Sequence, residues 1–110
     1  MEKSERIKRF EKLLAMDPLD STTYFALGQA YFNEGIFIEA EQTVKQGLKL
    51  NSRHTAYYYL LSQVLNKLAN KEELLSVLKK GIEMGELEGD RIPTEKMIAK
   101  LRRLTKETNE

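Results

Sequence analysis

Few side chains in this sequence have the types and spacing that catalysis needs. His54 is the one histidine and cysteine is absent, so imidazole relays, thiolate metal sites, disulfides and cysteine nucleophiles have no material. His54 itself falls between two helical stretches and reads as a turn residue rather than a ligand. Glu72 and Glu73, in "KEELL", are adjacent carboxylates, but neighbouring residues of a helix face different ways. They read as first-turn acids that favour a helix dipole. No glycine-rich phosphate loop or nucleophile elbow appears. The expectation is a protein that is not an enzyme, with no catalytic residue, metal or cofactor.

Polyanion recognition is the next chemistry to weigh. The run "KMIAKLRRLTK" at 96–106 is basic, yet Met97, Ile98, Leu101 and Leu104 form one apolar stripe within it, and the formal net charge of the whole chain is only +1. An amphipathic capping helix accounts for that run, and neither nucleic acid nor membrane is expected as a partner. The first ten residues, "MEKSERIKRF", lack the apolar core of a signal peptide, and no apolar run approaches the roughly 18 residues of a membrane span. A cytoplasmic location is the corresponding expectation.

The elements that would carry any binding surface follow from an internal repeat. Shifted by 34 residues, Tyr24 falls on Tyr58, Leu27 on Leu61, Gln29 on Gln63, Glu39 on Glu73, Lys45 on Lys79 and Gly47 on Gly81. Shifted the other way, Glu5 meets Glu39, Phe10 meets Val44 and Leu14 meets Leu48. With 110 residues the chain fits one domain: a half-repeat helix at 4–18, full units at 21–54 and 55–88, and a capping helix at 92–108. Inside each full unit the apolar residues keep a three-or-four rhythm that breaks once, at "NEG" (33–35) and at "ANK" (69–71), which predicts helical hairpins. Asp17 and Pro18 end the first helix, Asp20 or Ser21 caps the second, and Ile92 with Pro93 is expected to fix the start of the last. No sustained period-two alternation predicts a strand.

Gly28, set in the good helix "YFALGQAYFN", costs about 1 kcal/mol in propensity relative to alanine. Gly28, Ala40 and Gly47 together offer small residues on both helices of one hairpin, so that the helices can approach closely. Ser62 and Gly81 repeat the seam in the second unit, where Leu74 in place of Ala40 predicts a wider crossing.

These residues resemble the tetratricopeptide repeat family. Tyr24, Leu27, Gly28, Tyr31, Gly35, Ala40, Val44, Gly47 and Ser52 stand at the positions where that family prefers aromatic, leucine, glycine, tyrosine, small and turn residues. The second unit matches less closely, with Tyr58, Leu61, Ser62, Leu65, Leu74, Leu78, Gly81 and Glu86, and lacks the helix-terminating proline. The resemblance implies an all-α, right-handed stack of antiparallel hairpins, about six helices in an α-solenoid closed by the terminal helix. It also implies a binding module whose concave groove holds a peptide or helix of another protein. Carried over by position, the groove residues are Thr22, Phe25, Gln29, Phe32 and Asn33 from the first unit, and Tyr59, Gln63, Asn66 and Lys67 from the second. Phe25, Phe32 and Tyr59 would supply apolar contact, and the two glutamines would hydrogen-bond a peptide backbone. The subtype that grips a terminal carboxylate wants basic and asparagine residues where this chain has Phe25, Gln29, Ala56 and Leu60, so that mode is not expected. Ile36 and Ile38 occupy positions that are usually polar, and Tyr57 extends the run Tyr57–Tyr58–Tyr59. If exposed, these three would form a self-association surface, and a homo-oligomer formed through it or through the groove, such as a homodimer, is the second functional expectation.

Overall fold

Helix boundaries fall largely where the linker chemistry puts them. The computed structural model describes residues 3–109. It has six helices: α1 (Glu5–Met16), α2 (Ser21–Asn33), α3 (Phe37–Leu50), α4 (Thr55–Lys67), α5 (Lys71–Glu88) and α6 (Arg91–Asn109). No strand occurs among the described residues. Ser4 caps α1 by accepting from the Ile7 N–H, and Asp20 caps α2 by accepting from the Thr22 N–H. The helices assort into two compact units, Met1–Ser52 and Arg53–Glu110.

The 34-residue period is also a period of backbone hydrogen bonds. At the end of α2, Ile36 N–H donates to Tyr31 O and Gly35 N–H to Phe32 O; at the end of α4, Asn70 N–H donates to Leu65 O and Ala69 N–H to Asn66 O. This tight stop needs a residue in the left-handed region after the helix. Gly35 takes it at φ +79°, whereas its counterpart Ala69 takes it at φ +58° with a side chain attached. α1 and α3 end differently, on a last four-residue bond from Asp17 N–H to Leu13 O and from Asn51 N–H to Gly47 O, with the caps at φ −142° and −145° rather than left-handed.

In the first unit, α2 and α3 form a closely packed hairpin with α1 against α2. Gly28, Ala40 and Gly47 are all buried, as the small-residue seam requires, together with Leu27, Tyr31 and Val44. α1 buries Ile7 completely but leaves Leu13 and Met16 exposed. Arg6, standing where a small residue is usual, is also exposed.

In the second unit α5 packs against both α4 and α6, and α6 also touches α4. Two glycines make this possible. A Cβ on Gly81 would lie 2.7 Å from Tyr58 Cβ of α4 and 2.6 Å from Met97 Sδ of α6. A Cβ on Gly85 would lie 3.1 Å from Thr55 Cγ2 and 1.8 Å from Thr94 Oγ1. Met97 is fully buried beneath this crossing, and Leu104 is buried further along the same stripe of α6.

Two expectations change, and one helix end departs from the repeat. α5 runs four residues beyond the 34-shifted end of α3, because Gly85 and Glu86 replace the helix-ending Asn51 and Ser52. It stops at Gly89, left-handed at φ +70°. Ile92 does not anchor α6: the helix already begins at Arg91, and Ile92 points outward at 69% exposure. The Thr94 hydroxyl holds that first turn instead, donating to Asp90 O at 2.6 Å. Tyr57 is not a surface residue. It is fully buried and meets the His54 ring edge-on at 5.0 Å, because α4 buries a broad arc, Thr55, Tyr57, Tyr58, Leu60, Leu61, Ser62, Val64 and Leu65, and leaves the side of Ala56, Tyr59 and Gln63 half-buried.

Two substitutions with opposite signs test this account in thermal unfolding. Gly85→Ala gains helix propensity but drives a methyl into Thr94, and should lose roughly 1–3 kcal/mol. Ala69→Gly removes the left-handed strain of a side chain and should gain about 1 kcal/mol, a rise of several degrees in Tm.

Candidate functional site

On α2, positions 22, 25, 29 and 32–33 recur at three- and four-residue spacing, so they share a side of the helix. Leu27, Ala30 and Tyr31 occupy the buried side. Thr22 and Asn33 are exposed, while Phe25, Gln29 and Phe32 are half-buried. The Gln29 amide donates to Asn33 Oδ1 at 2.9 Å, which joins two polar members of the set into one unit. Phe32 leans against Phe37 at the start of α3, ring centroids 5.6 Å apart and tilted by 56°. Its outer edge and that of Phe25 keep partial access to solvent.

The position of this face is set from α1. The Tyr31 hydroxyl donates to Glu11 Oε2 at 2.9 Å, and Lys3 donates to the same oxygen at 2.5 Å while standing 6.0 Å from the centre of the Tyr31 ring. The Ser4 hydroxyl donates to Glu34 Oε2 at 2.8 Å, which ties the start of α1 to the end of α2. The Lys3 ammonium, reinforced by the Tyr31 hydroxyl, holds the Glu11 carboxyl below its ordinary range. Burial, with Glu11 adding to it, pushes the Tyr31 phenol up.

On α4, Tyr59 and Gln63 are half-buried and Asn66 and Lys67 are exposed. The capping helix reaches this set: Lys96 Nζ lies 5.5 Å from the centre of the Tyr59 ring, within cation–π range. Part of the Tyr59 face is therefore occupied by α6. The hairpin turn beyond it opens into a cleft of about 310 Å³. Leu65, Leu74 and Leu104 floor the cleft, and Asn66, Asn70 and Lys71 rim it. This is the end of the unit where Leu74 replaces the alanine of the first hairpin, the place the sequence marks for a wider crossing.

Of the three residues expected at a self-association surface, Ile38 is 61% exposed and Ile36 is half-buried, while Tyr57 is excluded by its burial. Lys96 and the three leucines of the cleft escape a sequence reading, since their roles arise only when α6 folds back on α4 and α5. Ala69, standing where the first unit has glycine, is the one local signal of something unusual at that turn. Among the described residues there is no cluster of metal-ligating side chains, and no helix is long and apolar enough to cross a membrane.

A family model described as anaphase-promoting complex, cyclosome, subunit 3 matches residues 4–81. No curated protein matches the chain. Among solved structures, the type III secretion translocator chaperone SycD of Yersinia enterocolitica superposes with a TM-score of 0.89 at 16% identity, over 94% of this chain and 72% of that one. PcrH, a Pseudomonas aeruginosa protein, superposes in its complex with the chaperone binding region of PopD with a TM-score of 0.88 at 16% identity, covering 93% and 77%. The TPR2B domain of yeast Sti1, in a complex with an Hsp70 peptide, gives 0.84 at 11% identity, covering 92% and 81%. At these identities the likeness is one of fold: an all-α tetratricopeptide-type repeat.

The α1–α2 clamp predicts a pH dependence. Because the Glu11 carboxyl is depressed in the folded state, its pairing stabilises the protein above the ordinary value near 4.5 and is lost as pH falls through the lower folded value. Glu11→Gln should therefore melt below wild type at pH 7, and the gap should close as the pH is taken below 4.5.

Proposed function

Since the chain belongs to the family described as anaphase-promoting complex, cyclosome, subunit 3, a family of tetratricopeptide-type repeats, we propose that it is a protein-interaction module that holds a peptide or helix of a partner protein. The observation that carries the reading is the set of half-buried aromatics, Phe25 and Phe32 on α2 and Tyr59 on α4, each of which keeps part of its surface open to solvent. Rings left in this state gain on being covered, by roughly 1.5–3 kcal/mol when a whole side chain goes from exposed to buried and by less from a half-buried start. Thr22, Gln29 and Asn33 beside the phenylalanines, and Gln63, Asn66 and Lys67 beside the tyrosine, supply donors and acceptors for a peptide backbone. Solved relatives of the same fold support the reading, among them PcrH with a region of PopD and the Sti1 domain with an Hsp70 peptide. The reading is of a binding protein rather than an enzyme, and it takes no cofactor.

Self-association is the second reading, favoured by the exposure of Ile38 beside half-buried Ile36. One experiment separates the two. Wild type and the Phe25→Ala, Phe32→Ala, Tyr59→Ala variant, both shown folded by circular dichroism, are used to capture partners from host lysate. A protein retained by wild type and lost by the variant supports the module. If retention is identical or nil, the reading fails, and a concentration-dependent mass that falls on making Ile36 and Ile38 polar would replace it.

A further inference from the structure

The cleft in the second unit has a chemistry of its own. Its floor is three buried leucines from three helices: Leu65 of α4, Leu74 of α5 and Leu104 of α6. Its rim has Asn66, Asn70 and Lys71, and no acidic side chain lines it. Lys67 follows Asn66 at the end of α4, and Lys100 precedes Leu104 by one turn, so the two stand on the same side of α6. Lys96, placed over Tyr59, fixes which side of α6 turns toward α4, and Lys100 and Arg103 follow it at i+4 and i+7. Lys100 and Arg103, one turn and one residue before Leu104, thus put positive charge on the stretch of α6 that reaches the cleft.

At about 310 Å³ the cleft is at the lower end of the ~300–1,000 Å³ that ligand sites span, suited to one or two aliphatic side chains rather than to a cofactor. Ala69 bears on the same point. Its methyl lines the cleft at φ +58°, where the equivalent Gly35 has none and where a Cβ would meet nothing within 4 Å. The second hairpin keeps a costly side chain where it walls this space.

We propose that this cleft is a docking site for an acidic peptide segment of a partner protein, a leucine-type side chain entering between Leu65, Leu74 and Leu104 while flanking carboxylates meet Lys71 and the basic side of α6. The proposal deepens the reading of the chain as a binding module and rests on it, but it uses a surface remote in sequence from the α2 residues. Glu72 and Glu73 stand beside Lys71 in the first turn of α5 and do not line the cleft.

The test is amide chemical-shift mapping on the full chain with a capped hexapeptide, Gly-Asp-Asp-Leu-Asp-Gly. The expected result is shifts at Asn66, Ala69, Asn70, Lys71 and Leu104, with affinity falling about tenfold or more when serine replaces leucine, when lysines replace the aspartates, and in Lys71→Glu. The same shifts should persist in Phe25→Ala, Phe32→Ala, so failure of the α2 reading and failure of this one are read separately. Absence of shifts at the cleft overturns the proposal, as does equal binding of the serine peptide, which would mean charge alone. Tighter binding of an octameric oligothymidylate at the same amides overturns it in favour of a nucleic-acid surface.

Discussion

Close approach of three helices at two glycines is the constraint on which the second unit depends. α5 has to pass between α4 and α6, and with any side chain at position 81 or 85 it would collide with Tyr58 and Met97, or with Thr55 and Thr94. Each glycine costs the helix about 1 kcal/mol of propensity, and complete burial of Met97 with near-complete burial of Tyr58 offsets that loss. The same device shapes the opposite end. Where the glycines stop and Leu74 begins, a leucine floor replaces the tight seam and the cleft opens. A structural economy at one end of the hairpin thus leaves a feature with binding chemistry at the other.

Much of this was legible because the repeat writes itself twice. A 34-residue shift aligns the apolar rhythm, and the backbone bonds that end α2 and α4 obey the same shift. Asp20 and the small residues Gly28, Ala40 and Gly47 act as their types and spacing imply. What escaped was whatever depends on a second helix arriving. Tyr57 sits in a run of three tyrosines, and the run does not say that two of them, Tyr57 and Tyr58, lie in the broad buried arc of α4 while Tyr59 stays half-buried. Gly85 stands in the repeat where Asn51 ends α3, so its use as a crossing point, and the extra turn of α5, had no counterpart to be read from.

The candidate binding residues divide in the same way. Position within the repeat picks out a coherent side of α2, and Thr22, Phe25, Gln29, Phe32 and Asn33 do share it with graded exposure. The α4 set is less uniform, because Lys96 of the capping helix lies over Tyr59. A basic amphipathic helix reads from sequence as a cap with a solvated polar side; which of its cations meets an aromatic ring is settled only by the crossing of α6 with α4. The clamp of Lys3, Glu11 and Tyr31 is likewise invisible in one dimension, since its members lie up to 28 residues apart, from Lys3 to Tyr31, with no motif between them.

Energetics bound what such a surface does. Rings that are already half-buried in their own hairpins have spent part of their hydrophobic gain on folding, so covering the remainder yields less than the ~1.5–3 kcal/mol of a fully exposed side chain. Three such rings cannot by themselves overcome the ~4–15 kcal/mol of rigid-body entropy that association costs. On the proposed reading, a partner held by these faces would add backbone hydrogen bonds to the amide groups of Gln29, Asn33 and Gln63, or charge pairing with the basic side of α6. Electrostatic pairing acts mainly on the rate of encounter and on the choice of partner, whereas the apolar contacts govern how long the complex lasts. On the proposed reading, this division of labour would let the aromatic faces set residence time and the lysines selectivity, as in a reversible adaptor rather than a permanent subunit contact.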